Sequence, residues 1–292
     1  PRGRARPSPG NNATIYVCNG HGGWEAALTN VLGPGDKALS VSVGYFGQGW
    51  ANTAQAQGVE VQRLNFFDRG CVDLDVVADA LKADTNHEIK VLLGTHVDTA
   101  TSIRTDPRVL REVLDATGHP ALLAMDCIAS MACDRFEMDD WGVDIAVTGS
   151  QKGLMVPPGL AFVFFSDKAA EVRKGRDLVQ QYWDWVPRAN PQAFPQHFGG
   201  TAPTHHLHGL RAALDLLMGE GMENVWARHA ALARAIWAAC DAWGTDGPLE
   251  MNVPDPANRS HAVTGLRLEG DQGTRLRQWV EENAPPEQGK DK

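Results

Sequence analysis

The chain has 292 residues, 43% of them hydrophobic and 22% charged, which is ordinary globular composition and enough length for one large domain or a large and a small one. A net charge of −9 argues against a nucleic-acid partner, which would want a basic face. No apolar run approaches the ~20 residues that span a bilayer, so a membrane protein is excluded as well.

Pro1–Asn12 is rich in Arg, Pro and Gly and has no apolar centre, so it reads as a disordered lead-in and not as a signal peptide. Strands are expected at Ala13–Cys18, Lys37–Val43, Val59–Leu64, Ile89–Thr95, Ala121–Ile128, Asp144–Thr148 and Leu160–Phe165. Helices are expected between them at Trp24–Leu32, Gln48–Gln57, Val72–Ala83 and Pro107–Ala116, the last with Asp106 as N-cap before a proline at its first position. Near-continuous apolar strands alternating with helices predict an α/β fold, a mostly parallel sheet covered on both faces, with ligands beyond the carboxyl ends of the strands. The second half reads as a short helix at Asp167–Lys174, a Trp/Tyr-rich connection over Asp177–Pro187, long helices at His205–Gly219 and Glu223–Trp243, a strand at His261–Leu268 and a helix at Thr274–Glu282. Residues 285–292 read as an unstructured tail. The five cysteines are odd in number, lie mostly in apolar surroundings and show no CxxC spacing, which predicts reduced, buried thiols and a cytoplasmic location.

The chemistry concentrates where apolar runs end. Asp126 closes one run and Lys152 follows the next, within Gly149-Ser150-Gln151-Lys152-Gly153-Leu154-Met155-Val156-Pro157-Pro158-Gly159. A pyridoxal phosphate (PLP) enzyme needs such a pair, a carboxylate for the protonated pyridine nitrogen and an amine for the Schiff base. Each residue also has a plainer reading, since a strand-end aspartate can cap a turn and most lysines sit in surface loops. Asn19-Gly20-His21-Gly22-Gly23 lies between a strand and a helix, where glycines let backbone amides approach a phosphate and the helix dipole favours one. Many βα turns look the same. His205, His206 and His208 do not place a clear His-x-x-x-His pair on one helix face, so no metal is expected.

The lysine segment resembles the motif of the class V aminotransferases, which have the PLP fold type I, and within them the alanine/serine/aspartate–glyoxylate group. The resemblance runs from about Val17 to about Leu268. It implies a seven-stranded-type sheet in a PLP-binding large domain over residues 13–220, then a linker helix and a partial small α+β domain over 221–284. It implies catalytic roles for Lys152 and Asp126 and a phosphate cradle at Gly20, His21 and Gly22, with Gln151 also on the phosphate. It places Phe46, where relatives often have tryptophan, against the cofactor ring, and Thr99 near its phenolic oxygen. Thr201, in Phe198-Gly199-Gly200-Thr201, would reach the phosphate of a neighbouring subunit, so a homodimer with a shared active site is implied. In the segment around Thr99, Asp98 stands for the family's usual glutamate and Ser102 for a glycine.

The function so implied is transamination from serine, alanine or aspartate to glyoxylate or pyruvate through a Lys152 Schiff base. Both ends depart from the family pattern, and no arginine sits in the family's carboxylate-gripping strand, so the chain reads as truncated at both ends. The alternatives are a catalytically impaired PLP-binding remnant, or another fold type I reaction such as a lyase or desulfurase.

Overall fold

In the computed structural model, residues 12–67, 69 and 71–283 are described. The expectations for residues 1–11 and 285–292 lie outside them. In chain order the first half comprises β1 (Ala13–Tyr16), α1 (Gly20–Val31), β2 (Lys37–Ser42), α2 (Tyr45–Ala56), β3 (Glu60–Asn65), α3 (Leu74–Ala83), β4 (Ile89–Thr95), α4 (Pro107–Ala116), β5 (Leu122–Asp126), β6 (Ile145–Gly149) and β7 (Ala161–Phe165). Then follow α5 (Asp167–Lys174), α6 (Val186–Ala189), α7 (Thr204–Glu220), α8 (Met222–Gly244), β8 (Glu250–Met251), β9 (Leu266–Arg267) and α9 (Gln272–Asn283).

Seven strands form one sheet in the order β1-β7-β6-β5-β4-β2-β3. The pairs β2–β3, β2–β4, β4–β5 and β5–β6 are parallel, whereas β7 runs antiparallel to both β6 and β1. Side chains alternate between the two faces, as a sheet buried on both sides requires. Val91 and Leu93 of β4, with Leu122 and Ala124 of β5, pack with Trp24, Leu28 and Trp50 of α1 and α2. Leu92, Leu123 and Met125 point the other way, toward Val77 and Leu81 of α3 and Leu110 and Leu114 of α4.

Helices α1 and α2 begin a turn or so earlier than their patterns predict. Helix α1 starts at Gly20 and not at Trp24, because Asn19 caps it: its side-chain oxygen accepts the N–H groups of His21 and Gly22. The glycine-rich turn is therefore the first turn of the helix. Its glycines give room for close packing, since a Cβ on Gly23 would lie 2.9 Å from Val147 and one on Gly20 would collide with the Ile128 side chain. Helix α2 starts at Tyr45 and not at Gln48, which puts Phe46 in its first turn. Strand β5 stops at Asp126, two residues short of the expected end, because the Asp126 carboxylate accepts the Ile128 N–H and turns the chain.

The expected strand at His261–Leu268 shrinks to Leu266–Arg267, which pairs antiparallel with Glu250–Met251, a strand the sequence reading missed. Upstream of Gly265 the chain bonds elsewhere: the Ser260 hydroxyl and the His261 amide both donate to Asp134. Among the described residues, no helix is long and apolar enough to cross a membrane.

Candidate active site

A cleft of about 280 Å³ opens at the carboxyl ends of the parallel strands. The start of α1 lines it with Asn19, Gly20, His21 and Trp24, the start of α2 with Phe46, and the segment after β4 with Val97 and Thr99. The end of β5 supplies Asp126, Ile128 and Ala129, and the loop after β6 supplies Gln151, Lys152 and Pro158.

Asp126 is buried at the floor. Its Oδ1 accepts the Ile128 N–H at 2.7 Å and its Oδ2 accepts the Trp24 indole N–H at 3.1 Å. Burial pushes its pKa up to about 7, the two donors pull it down by less, and the nearby Asp98 charge adds to the rise. A carboxylate so placed is suited to a cationic partner that would restore its ionisation.

Trp24 was not among the candidates. Its signal was the type of residue: a buried indole needs an acceptor, and the end of an apolar strand offers one. The indole sits edge-on to His21, with ring centres 4.6 Å apart, and to Phe46 at 6.5 Å, and stacks on Trp50 at 6.3 Å.

The loop carrying Lys152 is braced from several sides. The Ser150 hydroxyl donates to the Pro157 carbonyl at 2.7 Å and accepts the Leu160 N–H at 3.2 Å, which closes the base of the loop. Gly153 passes so near the Met131 carbonyl that a Cβ would collide with it. Met155 adopts a left-handed φ of 58° and donates its N–H to the Lys152 carbonyl at 2.9 Å. The Lys152 side chain is exposed at the rim, and the Gln151 Oε1 is buried with no hydrogen-bond partner among the described residues.

Of the residues singled out in the sequence, Gly20, His21, Phe46, Thr99, Asp126, Gln151 and Lys152 line this one cleft. Gly22 does not, because it faces away, where a Cβ would lie 2.7 Å from Cys18. Thr201 is exposed, beside a separate 430 Å³ cavity bordered by Arg188, Gly199 and Gly200, and does not reach the cleft of its own chain. Asp98, which stands for the family's usual glutamate, is fully buried and accepts N–H groups from Phe46 and Gly47 and, within its own turn, from Ala100. Among the described residues no group of three or more His, Cys, Asp or Glu could hold a metal. His206 instead lies 3.2 Å from the Pro158 carbonyl, beneath the lysine loop.

The residues fit PLP on these observations: a buried carboxyl in want of a cation and an amine on the same cleft. Comparison with known proteins points the same way. The chain is 41% identical over 254 residues to the L-aspartate–glyoxylate aminotransferase of Paracoccus denitrificans, a match covering 87% of this chain and 63% of that protein. It is 39% identical over 259 residues to the serine–glyoxylate aminotransferase of Methylorubrum extorquens, covering 86% of this chain and 63% of the relative. The chain thus spans under two thirds of the length of these relatives. The crystal structure of alanine–glyoxylate aminotransferase from Nostoc sp. superposes with a TM-score of 0.83 at 25% identity, over 94% of this chain and 72% of that one. The model of the family described as Aminotransferase class-V matches residues 9–284, and the chain belongs to that family.

Proposed function

We propose that the protein is a PLP-dependent transaminase that moves an amino group from a small amino acid (serine, alanine or aspartate) to glyoxylate or pyruvate. The observation that carries the reading is the pairing of Asp126 and Lys152 on one cleft, with Asp126 buried and short of a counter-charge. The glyoxylate-using relatives support the substrate class.

Bound PLP supplies an aldehyde that condenses with amines and a ring that accepts the electron pair released at the substrate Cα. Asp126 would hold the pyridine N–H, and Trp24 and the Ile128 amide keep both of its oxygens oriented. Phe46 would offer a flat apolar face and Thr99 a hydroxyl to the cofactor in the same cleft. The start of α1 would offer its dipole to the phosphate, and Gln151, on the same cleft, would offer its side-chain NH2. Lys152 Nζ, exposed at the rim, would be the amine that holds the aldehyde and, once the substrate amine displaces it, would take the proton from Cα and deliver it to the former aldehyde carbon. Thr201 lies outside its own cleft and serves the phosphate of a second copy, so the working unit is a homodimer. Residues 13–220 form the cofactor-binding unit, and 221–284 belong to the smaller one.

The test is a titration with PLP followed by addition of serine or alanine. The wild-type protein should gain a visible absorption band that amino donors discharge within a single turnover, and Lys152→Ala should show no such band. Colourless wild-type protein in excess PLP would sink the proposal.

A further inference from the structure

The start of α2 has no cap of its own. Its N-cap is Gly44, which has no side chain to offer the orphan donors of the first turn. They are met from the segment after β4. Asp98, after β4, accepts the Phe46 N–H at 2.9 Å and the Gly47 N–H at 3.0 Å on Oδ2, and the Ala100 N–H at 3.0 Å on Oδ1. The carboxylate is 0% exposed and does not line the cleft, but it grips the backbone of two segments that do. One carries Phe46, and the other carries Thr99, between Asp98 and Ala100. Gly44 is extended, with φ −175°, so glycine is needed there for space and not for conformation: a Cβ would stand 2.5 Å from the Asp98 carboxyl carbon.

We infer that Asp98 is a positioning residue of the cofactor site, one buried carboxylate that sets the separation of Phe46 and Thr99 across the cleft. Charge-assisted bonds to backbone N–H groups are the strong kind, and a shift of either segment would move a residue that touches the cofactor. The inference rests on the PLP reading above.

The experiment compares wild type with Asp98→Asn, an isosteric change that turns one acceptor oxygen into a donor facing N–H groups. Two quantities are read in the intact protein: the PLP dissociation constant, and the induced circular dichroism of the visible band per mole of bound PLP. The affinity should fall about tenfold, and the induced signal per bound PLP should fall by about half or more, because the ring is held at a different angle. A merely structural role would lower the amount of folded protein and leave the signal per bound PLP unchanged, and that result overturns the inference. Gly44→Ala presses the same carboxylate from the other side and should give the same signature. Where Asp98→Asn does not fold, it decides, and an unchanged signal there overturns the inference. Wild-type protein that binds no PLP removes the PLP reading itself and this inference with it, whereas wild-type binding with an unaltered Asp98→Asn signal removes the inference alone.

Discussion

At the scale of single residues, the site divides into groups that a motif announces and groups that only the fold reveals. That Lys152 and Asp126 share a cleft was legible because Asp126 closes one apolar run and Lys152 follows the next. Trp24 and Asp98 were not, because what they do depends on partners far along the chain: Trp24 bonds Asp126 across 102 residues, and Asp98 bonds Phe46 across 52. The raised pKa of Asp126 has a consequence for stability. Its ordinary value is 3.8 and its folded value about 7, so its ionisation opposes folding. The stability associated with this group is fully present below its unfolded pKa and is lost as pH rises through about 7, by on the order of a few kcal/mol. In cofactor-free protein, the urea midpoint of wild type should therefore fall relative to Asp126→Asn between pH 5 and pH 8. Added PLP should cancel that fall in wild type alone, because the pyridinium supplies the missing charge. Parallel pH curves for the two proteins would show that Asp126 is not the destabilising acid described here.

At the scale of elements, apolar runs located every strand of the large sheet to within a few residues, and Asp106 caps α4 as expected, accepting the Arg108 N–H with proline at the first helical turn. Strand direction was less legible. Nothing in the apolar pattern of β7 distinguishes it from its parallel neighbours, although it runs antiparallel to β6 and β1. A two-residue strand such as β8 is too short to show a period at all. The end of the sheet opposite the cleft is tied by a buried pair of the same hidden kind. Asp84, after α3, accepts the N–H groups of Glu88 and Ile89 at 3.0 and 2.7 Å and lies 3.1 Å from His119 Nε2, before β5. Burial pushes the Asp84 carboxyl up, but the Ile89, Glu88 and His119 donors outweigh it, and the net pKa is lowered. The sign is opposite to that of Asp126: the contribution is present above the unfolded carboxylate pKa and is lost as pH falls through the lower folded value. Asp84→Asn should cost about 1–3 kcal/mol at pH 7, read as a lower urea midpoint, and the gap to wild type should close below about pH 4. A gap that stays constant down to pH 3 would mean that the bonds, and not the charge, carry the effect.

At the scale of the whole molecule, the segment holding β8 and β9 is fastened to the loop after β3 and to the segments after β4 and β5 that also reach the cleft. Arg69 donates to the Met251 and Asn252 carbonyls and pairs with Glu250 at 2.9 Å. Asn252 donates to the Thr101 carbonyl, and the Gly265 N–H donates to Ser102 Oγ at 3.0 Å. Ser102 holds a left-handed φ of 59°, a conformation that favours glycine, and its hydroxyl serves the long-range contact. The deepest fastening is Asp134, fully buried in the loop after β5, which accepts from the Ser260 hydroxyl at 2.7 Å, the His261 N–H at 3.0 Å and, at 3.1 Å, His261 Nδ1. Burial pushes this carboxyl up, and the His261 and Ser260 donors outweigh it, so its pKa ends below the usual value. Asp134→Ala strands these donors in a buried site and should cost about 2–4 kcal/mol. Because Arg69, Asn252 and Ser102 still hold their ends, the loss should appear first as local opening and not as global unfolding. Limited proteolysis at pH 7 should then cut Asp134→Ala between residues 245 and 268 under conditions where wild type resists, while helices α3 and α4 remain protected from hydrogen exchange. Cleavage spread evenly over the chain would instead mean that the segment and the large sheet unfold as one cooperative unit.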